Sequence, residues 1–102
     1  MPRQRKIPVA EQALAQQGCK CLYCGASLYE FEAWSTSVMD HSVPLHLGGE
    51  STLDNLVACC SLCNTLKGGY HTDDPLKMRE FIDTKREEWR KYWELHIKPL
   101  CH

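Results

Sequence analysis

The sequence contains no apolar run long enough to cross a membrane, since its uninterrupted apolar stretches last only a few residues. No apolar segment follows the basic start Pro2-Arg3-Gln4-Arg5-Lys6, so the reading predicts no secretory signal and a cytoplasmic location. The chain also lacks a charge imbalance: 12 Lys+Arg against 13 Asp+Glu give a formal net charge of −1. A basic excess would announce a nucleic-acid binder; a balanced sum leaves that class open, because the distribution of charge matters more than its total. Glycine and proline are few, at 6 and 5, and no repeat or low-complexity tract is present. Collagen-like and disordered classes are therefore excluded.

What remains is a chain of 102 residues, 43% hydrophobic and 25% charged, the size of a single domain spanning 1–102. It carries 7 cysteines. An odd count without an export signal favours metal ligation over a disulfide framework. A core this small also gains from the stability that a structural metal supplies.

Two CxxC pairs, Cys21-x-x-Cys24 and Cys60-x-x-Cys63, are separated by 35 residues. A CxxC turn brings two thiolates to one point, and two such turns complete a tetrahedral zinc site. Thiolates are soft and favour Zn2+ over Mg2+ or Mn2+. Four of them leave no open coordination position, so this zinc is read as structural. Cys19, Cys59 and Cys101 are read as uninvolved thiols, although Cys19 and Cys59 flank the pairs and are alternative ligands.

The spacing predicts a short helix over Val9 to Gln17, stopped by Gly18. Residues 34–41 suit a strand, and Asp54-Asn55-Leu56-Val57-Ala58 offers a second extended segment. Cys60 to Lys67 suits a turn leading into a short helix, closed by Gly68-Gly69. Asp73, Asp74 and Pro75 cap a long helix over about 76–96, and Pro99 ends it. Phe81, Ile82, Trp89, Trp93 and Ile97 fall near helical spacing and are expected to pack on the domain. Base stacking by Trp89 and Trp93 is the alternative. Residues 1–6 read as a flexible basic arm whose Arg3, Arg5 and Lys6 are candidate phosphate contacts.

The ordered set Cys21-x-x-Cys24, Asp40-His41-x-x-Pro44, Gly48-Gly49, Asn55-Leu56-Val57 and Cys60-x-x-Cys63-Asn64-x-x-Lys67-Gly68 resembles the zinc-bound HNH endonucleases. The resemblance covers residues 21–68. It implies an α+β domain with a small ββα-metal (His-Me finger) core, a four-cysteine zinc site and flanking helices. Two antiparallel strands, roughly 34–43 and 54–58, would be followed by the helix that holds Asn64. By the same resemblance His41 is the general base, Asp40 and Asn64 hold one catalytic cation, and Asn55 orients His41. Asn64 stands where the literal family lettering has histidine; Asp and Asn offer hard oxygen ligands, which suit Mg2+ or Mn2+.

The implied activity is metal-dependent hydrolysis of phosphodiester bonds in DNA. A monomer or weak dimer is expected; the monomer would nick one strand, and double-strand cutting would require a dimer or two encounters. Residue chemistry agrees: an imidazole accepts a proton at neutral pH, and a cation on two oxygens keeps positions for phosphate and water. A regular strand would point Asp40 and His41 to opposite faces, so a strand end or bulge must bring them to one cleft. Lys67 reads equally as a phosphate contact or a surface lysine; His46 reads first as an exposed loop histidine and second as a phosphate contact or further metal ligand. His71 has a similar standing. A noncatalytic zinc module binding nucleic acid or protein is the competing class, and an RNA-cutting enzyme differs only in substrate.

Overall fold

The computed structural model describes residues 7–101; the basic arm with Arg3, Arg5 and Lys6, and His102, lie outside the described residues. The chain is an α+β fold with one two-stranded antiparallel sheet. Helix α1 covers Val9–Gln16 and begins directly after Pro8, whose fixed φ suits a helix entry. A hairpin-like knuckle at residues 19–28 follows, closed by Leu28 N donating to Cys19 O at 2.7 Å and Cys21 N donating to Ala26 O at 2.8 Å. Then come α2 (Phe31–Ser35), β1 (Val38–His41), a 3-10 turn (Leu45–Leu47), β2 (Leu56–Cys59), α3 (Ser61–Lys67) and α4 (Pro75–Tyr92). A π turn (Trp93–Ile97) and a 3-10 turn (Lys98–Leu100) prolong α4. No helix among the described residues is long and apolar enough to cross a membrane.

Register in the sheet is regular, with Asp40 opposite Val57 and His41 opposite Leu56. The outer edge of β2 needs a partner for Ala58, a fully buried residue. Gln17 provides it by imitating a strand: its Oε1 accepts from Ala58 N at 2.8 Å, and its Nε2 donates to Ala58 O at 2.7 Å and Lys20 O at 2.9 Å. Leu22 N adds a bond to Ala58 O at 3.2 Å. The knuckle and the end of α1 are thereby stitched to the sheet. The core collects Cys21, Leu28, Ala58, Cys59, Cys63, Leu66, Met78 and Ile82.

Three expectations need correction. The first strand is Val38–His41 rather than 34–43, because Trp34 and Ser35 close helix α2. Polar side chains finish that helix, with Thr36 Oγ1 donating to Glu32 O at 3.1 Å and Ser37 Oγ to Trp34 O at 2.6 Å. These local bonds overrule the β propensity of Trp34 and Thr36. The second strand starts at Leu56 and ends at Cys59, since Asp54 and Asn55 form a turn in which Asn55 N donates to Thr52 O at 2.9 Å.

The long helix does run as read, with Asp74 capping Leu76 N at 2.9 Å, yet it buries only Met78 and Ile82. Trp89 is 52% exposed and Trp93 44%, so neither belongs to the core. Trp93 lies eleven residues beyond Ile82, about 16 Å further along the axis, where this small domain no longer reaches.

Gln17→Met keeps length and apolar stem but strips three hydrogen bonds from a part-buried strand edge. A destabilisation of about 1–3 kcal/mol is expected in chemical denaturation; no change would mean that water replaces the Gln17 amide at no cost.

Candidate functional site

Two turns carry the sulfurs. Cys21 and Cys24 close the first, where Gly25 adopts φ +75° and donates its N–H to Cys21 O at 2.9 Å. Cys60 is the N-cap of α3, and its sulfur accepts from Cys63 N at 3.4 Å. The Sγ atoms of Cys21, Cys24, Cys60 and Cys63 lie within 4.8 Å of one another, and the Cys24–Cys60 pair is 3.8 Å apart. They can hold a metal ion. Cys59, adjacent to Cys60, points the other way: its thiol donates to Val38 O at 3.6 Å inside the sheet. Burial foremost, with Asp40 nearby, pushes the Cys59 thiol up to about 12. The ambiguity between the neighbouring cysteines is resolved by strand alternation.

The environment of the four sulfurs is uneven. Burial raises the Cys24 and Cys63 thiols, whereas for Cys21 burial is outweighed by backbone N–H groups of Cys60, Cys24 and Tyr23, and its thiol is lowered. Arg86, reaching from α4, places Nη2 2.8 Å from Cys63 Sγ. Partial desolvation opposes the charge on Arg86, but the surrounding cysteines, Cys63 first, hold the guanidinium above its usual range. A cation beside a thiolate cluster offsets its negative charge.

The second constellation sits at the far end of β1. Asp40, His41, Pro44, Leu45, His46, Lys67, Gly68, Gly69 and Tyr70 line one cleft of about 230 Å³. No bulge is needed, because His41 is the last residue of β1 and the chain turns there. Lys67 is not the surface residue that one reading allowed: it is 6% exposed and its ammonium is hydrogen-bonded to Asp40 Oδ2. The same oxygen accepts from Tyr23 Oη at 3.1 Å. Burial first, then the Asp40 charge, raises the Tyr23 phenol, so it remains a donor. His46 sits exposed on the rim in the 3-10 turn. Asn64 lies on α3, one turn before Lys67, and its side chain is not among those lining the cleft. His71 stands apart, 3.4 Å from Asp73.

His41 Nε2 is 2.9 Å from Ser51 Oγ, a partner that nothing in the sequence signals. The Asn55 side chain makes its hydrogen bonds elsewhere than to His41. It clamps the loop between the strands: Oδ1 accepts from Val43 N at 2.7 Å, and Nδ2 donates to Val43 O at 3.1 Å and Glu50 O at 2.8 Å. That fixes the residue before Ser51 and, through Ser51, the imidazole. Gly49 is required by the same clamp, since a Cβ there would stand 1.7 Å from Val43 O and 3.0 Å from Asn55 Nδ2.

The HNH endonuclease family model matches residues 21–69, the stretch from the first knuckle through α3. A CRISPR-associated endonuclease Cas9 of Corynebacterium diphtheriae is 43% identical over 58 residues, covering 56% of this chain and 5% of that protein. A CRISPR-associated endonuclease Cas9 of Actinomyces naeslundii is 43% identical over 56 residues, covering 54% of this chain and 5% of its own length. The chain thus spans about a twentieth of the curated relatives it matches. Residues 21–69 thus match the HNH endonuclease family model, and the two-stranded sheet, following helix and clustered cysteines are consistent with the ββα-metal architecture.

Asn55→Ala and Gly49→Ala should both release the Val43–Glu50 loop. A stability loss of about 1–3 kcal/mol is expected for Asn55→Ala, with a shifted His41 imidazole resonance in both variants. An unmoved resonance in both would show that the loop clamp does not govern His41.

Proposed function

We propose that the protein is a metal-dependent endonuclease that hydrolyses phosphodiester bonds in DNA, nicking one strand per encounter as a monomer. The observation that carries this reading is the sharing of one cleft by Asp40, His41, His46 and Lys67. A carboxylate, an imidazole and an ammonium converging at one opening are the groups that phosphodiester hydrolysis uses.

In this reading His41 is the general base. The tautomer that donates Nε2–H to Ser51 leaves the Nδ1 lone pair to take a proton from water. Asn55 serves this step indirectly, by holding the loop that presents Ser51. Asp40 and Asn64 are the ligands of a catalytic Mg2+ or Mn2+, hard oxygen donors suited to those ions. When bound, such an ion supplies Lewis-acid stabilisation of charge developing on the phosphate. Lys67 neutralises phosphate charge from beside Asp40, and His46 contacts the phosphate at the rim.

The cysteine cluster is read as a structural zinc site. A Zn–S distance of about 2.3 Å gives tetrahedral S–S edges of about 3.8 Å. The Cys24–Cys60 spacing of 3.8 Å fits that edge. Four thiolates fill the tetrahedron, so no chemistry is assigned there.

One observation favours the noncatalytic alternative: Asp40 is already paired with Lys67, as a carboxylate retained only for folding would be. A plasmid assay separates the two. Supercoiled DNA is expected to be relaxed in the presence of Mn2+ or Mg2+ and left intact with excess chelator, with one zinc per chain by elemental analysis. His41→Ala should slow cleavage about a hundredfold or more. Wild-type activity in that variant removes the base assignment, and a zinc-loaded chain that never cuts supports the noncatalytic module.

A further inference from the structure

Tyr23 lies between the two sulfur-bearing residues of the first knuckle and is absent from the roles assigned so far. It belongs to the turn that Gly25 N closes by donating to Cys21 O at 2.9 Å. Its ring packs half-buried against the core that Cys21, Cys59 and Cys63 help to form. Its hydroxyl then reaches across 17 positions of sequence to Asp40 Oδ2 at 3.1 Å. The knuckle and the cleft are therefore in direct contact through one phenol.

The second donor to Asp40 is of another kind. Lys67 brings an ammonium to the same Oδ2 on a four-carbon stem with free torsions. An ammonium has three protons and, unopposed, can straddle both oxygens of a carboxylate. A tyrosine hydroxyl offers one proton from a rigid ring. Both donors converge on Oδ2, and Oδ1 takes part in neither bond.

We infer that Tyr23 is a positioning residue that locks the Asp40 carboxylate to the sulfur knuckle, occupying Oδ2 so that Oδ1 stays available to a divalent cation. The inference rests on the reading of Asp40 as a cation ligand. It gives the sulfur cluster a second consequence besides stability: order at Cys21–Cys24 is transmitted to the carboxylate plane. Removing the hydroxyl leaves Lys67 as the one donor among the described residues, free to draw both oxygens to itself and compete with an entering cation.

The test is a Mn2+ titration followed by electron paramagnetic resonance on the full zinc-loaded chain, as wild type, Tyr23→Phe and Asp40→Asn. Tyr23→Phe keeps the ring and is expected to weaken Mn2+ binding about tenfold, the scale of one hydrogen bond to a charged group. Zinc content and Tm should stay at wild-type values, and Asp40→Asn should abolish the binding. In plasmid cleavage the half-saturating Mn2+ concentration should rise by the same factor, while the rate at saturating Mn2+ recovers.

Wild-type Mn2+ affinity in Tyr23→Phe overturns the inference, as does unaltered binding by Asp40→Asn or a wild type that binds no Mn2+. Loss of zinc or of thermal stability in Tyr23→Phe makes the tyrosine merely structural, which also overturns it. If the wild type binds Mn2+ and Tyr23→Phe weakens that binding, yet no DNA is cut, the nuclease reading falls and the positioning role stands.

Discussion

Four sulfur atoms from two turns 35 residues apart converge on one point, and most of the remaining geometry follows from that convergence. The described chain buries few large side chains completely: Leu28, Ile82, Cys59 and Cys63. Two of those four are cysteines, so sulfur chemistry and core packing occupy the same space. A core of this size is marginal by itself, and four sulfurs placed to hold a metal ion are where a cross-link between distant turns would compensate. Cys60 is also the N-cap of α3, so the sulfur site fixes both the start and the direction of the helix that bears Asn64 and Lys67.

From that anchor the fold reaches the cleft by two routes. One runs through the sheet: Leu22 and Gln17 grip Ala58 on the outer edge of β2, and β2 sets the register that leaves His41 at a strand end. The other runs through side chains, from the knuckle by way of Tyr23 to Asp40. Buried Lys67 meets both, because a buried ammonium is tolerable only when paired, and Asp40 is its partner. The Asp40–Lys67–Tyr23 junction thus satisfies a packing demand and at the same time fixes the carboxylate. Those two demands are separable only by changing the phenol and the carboxylate independently.

What the sequence disclosed depended on how local the signal was. CxxC spacing is a property of single turns, so all four sulfur positions were legible before any coordinates, and so were the helices at 9–17 and 60–67 within a residue or two. Asp40 and His41 do share one cleft, and the need for a strand end followed from side-chain alternation. Trp34 and Ser35 were misread because capping by Thr36 and Ser37 is weak in sequence and decisive in structure. Ser51, Tyr23 and Gln17 carried no signal, since each acts on a partner 10 to 41 positions away. Helical spacing placed Trp89 and Trp93 on one stripe correctly, but spacing says nothing about whether a core extends far enough to cover it.

Helix α4 lies outside the family-matched segment, yet it is no passive appendage. Its first half is held by Met78 and Ile82 in the core and by Tyr70 stacked on Phe81 with ring centroids 4.1 Å apart. Two arginines extend this attachment to the sulfur site: Arg79 donates to Leu22 O at 3.3 Å in the first knuckle, and Arg86 to Cys63 Sγ in the second. They sit two helical turns apart and so touch both halves of the cluster from one face. The matched segment supplies four sulfurs placed to hold a metal ion, while α4 brings the Arg86 guanidinium beside one of them. The stability of the sulfur site therefore depends on chain beyond the motif, and a cut before Pro75 would remove its cationic neighbours along with the Met78–Ile82 side of the core.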